Sequence, residues 1–162
     1  METVFEQFLA EAALIGKFVA ALLLGGIVGW EREAQSKSAG LRTYMLITAA
    51  AAAFVLLAVE LTDFFISAFS AETVTADPTR VVHAIVIGVS FIGAGAIMKN
   101  RHRNTVENLT TSAGILVMTS VGIAIALDAW FFAVAASLLL LFINRTVLNA
   151  EHHYARKRDR EK

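Results

Sequence analysis

Cysteine is absent, proline occurs once, and charged residues make up only 17% of the 162 positions. Without a thiol there is no disulfide framework and no thiolate-ligated metal site. Hydrophobic residues reach 57%, whereas soluble domains are roughly half apolar and about a quarter charged. That apolar excess excludes a disordered chain. Fourteen Lys and Arg balance fourteen Asp and Glu, so no net field directs the chain to nucleic acid. Enzyme signatures are missing too: no serine in a nucleophile elbow, no His-Glu zinc spacing, no phosphate-cradling loop with its lysine. The expectation is a non-enzyme that needs no cofactor and no metal.

What is present is a set of apolar stretches long enough to cross a bilayer, which takes about 20 residues of helix. Five are readable: 12–30, interrupted only by Lys17; 43–59, with alanine at 49–53; 81–98; 110–127; and 129–148. A soluble bundle would show a polar stripe on each helix, and these segments show none. The predicted fold is all-α, a polytopic transmembrane helix bundle over residues 1–148, followed by a basic tail at 149–162.

Cations set the orientation. Arg32, Lys37 and Arg42 separate the first two stretches, Lys99, Arg101 and Arg103 the third and fourth, and Arg145, Arg156, Lys157, Arg158, Arg160 and Lys162 follow the fifth. Twelve of the fourteen Lys and Arg thus share one side of an alternating topology, leaving Lys17 and Arg80 on the other. The positive-inside rule places the N-terminus outside and the C-terminus in the cytoplasm. The N-terminus has no basic n-region, so the first stretch reads as a retained helix rather than a cleaved signal.

Several ends are marked. Thr3 and Glu6 have capping-box spacing, Asp77-Pro78 is a strong start signal, and Asn104 with Glu107 repeats the cap spacing before the fourth span. Only Asp128 separates the fourth and fifth spans, so a tight turn makes those helices neighbours. Small residues predict the packing faces: Ala21, Gly25 and Gly29 with Gly26 beside them; Ala84, Gly88, Gly93 and Gly95; Gly114, Gly122 and Ala126. Contacts within one chain are the favoured reading, a homo-oligomer seam the alternative. An offset of 68 sets Gly25 on Gly93, Leu41 on Leu109, Thr43 on Thr111 and Ile47 on Ile115, the pattern of a parallel repeat about the membrane normal.

Polar candidates gather at two levels. On the inner side stand Glu31, Arg32, Glu33, Arg42, Thr43, Thr110 and Thr111. Carboxylate and guanidinium together at a membrane boundary predict an ion pair of Arg42 with Glu31 or Glu33, either as a staple or as a polar patch for an ion or partner. On the outer side, Lys17 and His83 lie inside their spans and are functional candidates by default. Lys17 can extend its stem to the interface, and His83 can bond a carbonyl. Asp77 is expected to cap its helix and pair with Arg80.

Gly25-Gly26-Ile27-Val28-Gly29-Trp30-Glu31-Arg32-Glu33, then Ala39-Gly40-Leu41-Arg42-Thr43, resembles the first signature of the MgtC/SapB membrane protein family. Asp77-Pro78-Thr79-Arg80-Val81 with Phe91-Ile92-Gly93-Ala94-Gly95 looks like the second, and Leu109-Thr110-Thr111-Ser112-Ala113-Gly114 is similar to the third. The resemblance covers roughly residues 20–125. It implies a bacterial inner-membrane protein of about five helices, linked to magnesium limitation, acid stress and survival inside hosts. It also implies a partner, the membrane ATP synthase, which such a protein would restrain; an older family label is that of a magnesium transporter. Two departures stand out. A basic tail too short to bury a core follows the bundle, where many members carry a soluble domain, and Ala84 and Ile87 occupy positions where the family often has glutamine and serine.

Three functions compete. A regulator that binds another membrane protein through its helices needs a small-residue face and no pore. A carrier for Mg²⁺ needs oxygen ligands, yet every carboxylate lies near a span end. A membrane enzyme lacks a nucleophile and base. The sequence ranks them in that order.

Overall fold

The computed structural model describes residues 2–69, 77–100 and 105–160. Five helices carry the fold: α1 (Glu2–Ala34), α2 (Leu41–Phe69), α3 (Pro78–Ala96), α4 (Leu109–Ala126) and α5 (Trp130–Arg160). Four are long and apolar enough to cross a membrane, and α5 adds a shorter apolar segment, Trp130–Thr146. Phe91, Phe131, Leu138 and Phe142 are among the many large apolar side chains exposed on the outside of the bundle. That distribution suits lipid as solvent, and the chain is a membrane protein.

Local chemistry explains most helix ends. Asp77 accepts from Thr79 N at 3.0 Å, and Pro78 fills the first helical position of α3, where no N–H is missed. Thr3 already has helical backbone inside α1, and its side chain, the expected capping partner of Glu6, lies outside what the structure describes. Between α3 and α4 the chain builds an antiparallel hairpin of β1 (Met98–Asn100) and β2 (Thr105–Glu107) in place of the expected plain loop. Glu107 therefore lies in a strand, and Asn104, its expected capping partner, falls outside the described residues. The start of α4 belongs instead to Asn108, whose left-handed backbone (φ 68°) turns the chain and whose side chain donates to Ala96 O at 3.0 Å. The turn into α5 is as tight as expected, with Asp128 at φ 59°.

α4 sits at the centre, packed against all four other helices. Its Ile115, Met118, Val121 and Ile125 are at most 1% exposed, as a helix that is apolar all round requires. The α2–α4 crossing is the tightest. A side chain on Gly122 would run into Thr48 O and the Ala51 methyl, and one on Gly114 would meet the Tyr44 hydroxyl. Within the α1–α2 pair, a Cβ on Gly25 would stand 2.6 Å from Tyr44 O, and one on Gly29 would stand 2.8 Å from Leu41 Cα. Such backbone approach is how helices associate where lipid offers no hydrophobic drive.

The offset of 68 holds in the fold. It superposes Leu41 on Leu109, the first residues of α2 and α4, and Gly25 on Gly93. Gly25 faces Tyr44 and Gly93 faces Ser112, which are again 68 apart. The α1–α2 and α3–α4 pairs share this one contact register, though α1 is far longer than α3 and only the second pair is joined through β1 and β2. Gly88 and Gly95 correct the packing forecast: a Cβ on either would meet nothing within 4 Å. α3 leans on α4 through the Gly93 face, so its other glycines look outward.

Helix lengths differ sharply. At 1.5 Å per residue α1 is about 50 Å long and α2 about 44 Å, whereas α3 and α4 are about 27–29 Å, close to the ~30 Å hydrocarbon core.

Gly25→Ala and Gly122→Ala should each lower stability by about 1–3 kcal/mol through overpacking, whereas Gly88→Ala and Gly95→Ala should change it by less than about 0.5 kcal/mol. Denaturant unfolding in detergent micelles measures all four.

Candidate functional site

The conspicuous polar cluster closes the basic end of the bundle. In the last turn of α1, Arg32 is only 2% exposed and the Glu31 side chain 10%. Arg32 Nε donates to Glu31 Oε2 at 2.6 Å and Nη2 to Oε1 at 2.8 Å, a two-point clamp between adjacent residues. Gln35 completes it, accepting from Arg32 Nη2 at 3.0 Å and donating to Glu31 Oε1. A guanidinium this buried would be prohibitive alone, and the paired carboxylate makes it tolerable. Its place at the helix C-terminus adds favourable dipole energy.

Glu33 points the other way. Its Oε2 accepts from Leu41 N at 2.8 Å, so a carboxylate from the end of α1 caps the start of α2. Gly40 leaves room for it: a Cβ there would approach the same oxygen to 2.8 Å and push the Glu33 side chain aside. One turn on, the buried Tyr44 hydroxyl donates to Thr111 O at 3.4 Å, and Thr48 Oγ1 donates to Tyr44 O at 2.8 Å. Ser112 Oγ donates to Gly93 O at 2.8 Å, fastening α4 to α3. Asn144 of α5 is also buried at this end, 6% exposed.

The structure brings together Glu31, Arg32, Glu33 and Thr111 from the sequence candidates and rearranges their roles. The expected pair of Arg42 with Glu31 or Glu33 is absent. Arg42 is exposed and makes no ion pair among the described residues, because Arg32 has taken Glu31 and the α2 N-terminus has taken Glu33. Thr43 is half-buried and Thr110 exposed. Sequence reasoning missed Gln35, Tyr44, Thr48 and Ser112. Tyr44 and Thr48 are four apart on the α2 face that meets Gly25, a spacing that signals a shared helix side.

At the opposite, acidic end a second tie crosses the bundle. Lys17 Nζ donates to Asp128 Oδ2 at 2.7 Å and to Ala126 O at 3.2 Å. Lys17 does extend its stem outward, and it ends on a carboxylate in the α4–α5 turn, pinning α1 to the end of α4. The Lys17 ammonium holds the Asp128 carboxyl below its ordinary 3.8. Asp77 is likewise lowered, chiefly by the Thr79 hydroxyl donating at 2.6 Å and then by its backbone N–H. Arg80 Nε lies 3.6 Å from Asp77 as expected, and His83 is exposed. Among the described residues no three of His, Asp or Glu gather as a metal-ligand set.

Arg32→Met should destabilise the protein by about 3–5 kcal/mol by stranding Glu31, and the double change Glu31→Leu with Arg32→Met by much less; Arg42→Glu should be mild. Membrane accumulation and denaturant unfolding read this order. A carboxylate whose folded pKa is depressed contributes above its unfolded pKa and loses that contribution as pH falls through the folded one. The stability gap between wild type and Asp128→Asn should therefore stay constant from neutral pH to about 5 and close only below 3.8, as unfolding at stepped pH would show.

The chain is 34% identical to "Putative magnesium transporter YhiD" of Escherichia coli K12 over 132 residues, covering 82% of this chain and 59% of that one. It is 35% identical to "Protein MgtC" of Salmonella typhimurium LT2 over 127 residues, covering 78% and 48%. An uncharacterised Haemophilus influenzae protein is 28% identical over 128 residues, covering 79% and 52%. The chain thus spans about half the length of the curated relatives it matches. No solved structure matches it. The family match runs from residue 18 to residue 153, across the Glu31–Arg32 cluster and the α2–α4 crossing, and the chain belongs to the MgtC family.

Proposed function

We propose that this protein is a bacterial inner-membrane regulator that acts, without catalysing a reaction, by packing its helices against another membrane protein during magnesium limitation or acid stress. In this reading its five spans leave the N-terminus outside and the basic end in the cytoplasm. The observation that carries the reading is the contrast between a filled interior and an uncovered α3. Tyr44, Ile115, Met118 and Ile125 close the space between α2 and α4, whereas Gly88 and Gly95 leave one face of α3 free for a close helix approach. Beside it runs an apolar groove of about 810 Å³ between α2 and α3, lined by Leu46, Phe54, Ala84, Gly88 and Ile92 among others. A transmembrane helix packs on such small-residue surfaces. The ATP synthase is the partner that the family resemblance suggests.

Transport of Mg²⁺ is the second reading, favoured by the magnesium-transporter name of the Escherichia coli relative. Mg²⁺ wants oxygen ligands and retains its waters. The carboxylates here sit at the two ends, and Glu31, Glu33, Asp77 and Asp128 each already hold a partner.

Purified protein in liposomes loaded with a Mg²⁺ dye should show no flux above empty liposomes. A saturable flux lost in Glu31→Gln would reverse the ranking.

A further inference from the structure

α1 and α2 overrun α4 at its acidic end. At the basic end α3 and α4 meet level, with Asn108 bonding Ala96 O, and α2 begins no lower than α1 ends, with Gly29 abutting Leu41. The surplus length of α1 and α2 must therefore emerge at the acidic end. From Gly25, level with Tyr44 and so one turn below the Thr48 O that abuts Gly122, α1 rises about 35 Å to Glu2, while α4 rises about 12 Å from the level of Met118 to its last residue. α2 rises about as far as α1 by Phe69. An α1–α2 prong of roughly 20 Å thus stands beyond the α4–α5 turn, past the ~30 Å that lipid tails cover.

Its surface is wrong for open water. Phe5, Phe8 and Phe64 are 64–65% exposed and Phe69 61%. Phenylalanine lacks the polar handle that lets Tyr or Trp sit at a headgroup boundary, and contiguous apolar surface outside the hydrocarbon marks an interaction site. Among these rings stand four exposed carboxylates, Glu6, Glu11, Glu60 and Asp63. Residues 2–16 and 60–69 contain no Lys or Arg.

We propose that the α1–α2 prong is a docking surface for a cationic amphipathic segment of another protein. The charge selects this occupant. A second copy would bring like charge against like, and anionic headgroups would be repelled in the same way, whereas a Lys- or Arg-bearing helix with an apolar face satisfies both rings and carboxylates. The surface deepens the regulatory reading by adding a contact outside the bilayer, and rests on that reading for its purpose.

The test uses the full chain in zwitterionic nanodiscs and two synthetic 18-residue amphipathic helices, one Leu/Lys and one Leu/Glu. The Leu/Lys helix should bind at least tenfold more tightly to loaded than to empty nanodiscs, and the Leu/Glu helix should not. The quadruple variant Glu6→Gln, Glu11→Gln, Glu60→Gln, Asp63→Asn and the pair Phe8→Ser, Phe64→Ser should each weaken binding at least tenfold while still assembling. A single fluorophore on Phe8→Cys or Phe64→Cys, in this cysteine-free chain, should be quenched by aqueous iodide. Equal binding to empty nanodiscs, quenching only by lipid-borne nitroxides, or disulfide pairing between copies would overturn the proposal. Such a failure alongside absent Mg²⁺ flux would leave the regulator in place with its contact on α3, whereas binding together with saturable flux would keep the prong and remove the regulator.

Discussion

The crossing of α2 over α4 is the constraint on which the rest of this protein depends. In lipid, helices gain little from burying one apolar surface against another, so association depends on backbone proximity and a few polar contacts. Gly122 and Gly114 supply the proximity, with Thr48, Ala51 and Tyr44 facing them. Once α4 is held there, α3 attaches through Ser112 and Gly93 and α5 follows from the tight turn at Asp128. α1 is then seated against α2 by Gly25 and Gly29.

The charged ties among the described residues lie at the two ends, where each fastens one helix to another or to its own terminus. At the basic end, burial of Arg32 forces a carboxylate to accompany it, and the neighbouring Glu33 satisfies the start of α2. At the acidic end, Lys17 closes the C-terminal carbonyl of α4 and the Asp128 carboxylate at once. Between these layers the interior is apolar side chains and threonines bonded to their own helices, as with Thr48 and Thr119. A bundle of this kind presents its variety on the outside: the free glycines of α3, the α2–α3 groove and the aromatic prong.

Much of this was readable beforehand, for reasons that residues make plain. Apolar runs without polar stripes announced the helices, and Asp77-Pro78 announced where α3 begins. The 68-residue offset pairs Gly25 with Gly93 and Tyr44 with Ser112, and the Gly25–Tyr44 and Gly93–Ser112 contacts share that register. The ion pair at the basic end was not readable in detail. Glu31, Arg32, Glu33 and Arg42 admit several pairings within a few ångströms, and the choice turned on which guanidinium the helix packing buries. The β1–β2 hairpin was hidden for another reason: three-residue strands carry too short a pattern to register against the cations around them.

Sequence by itself determined the number of helices, their apolar character, the segregation of cations to one end and the family, because these follow from run length, composition and local motif. Only the tertiary structure decided which glycines touch backbone and which face outward, since Gly88 and Gly122 look alike until a neighbour is placed beside them. It also decided that Arg32 rather than Arg42 is the buried cation and that Lys17 finds Asp128. Those outcomes depend on distances between residues far apart in the chain, and no local pattern encodes them.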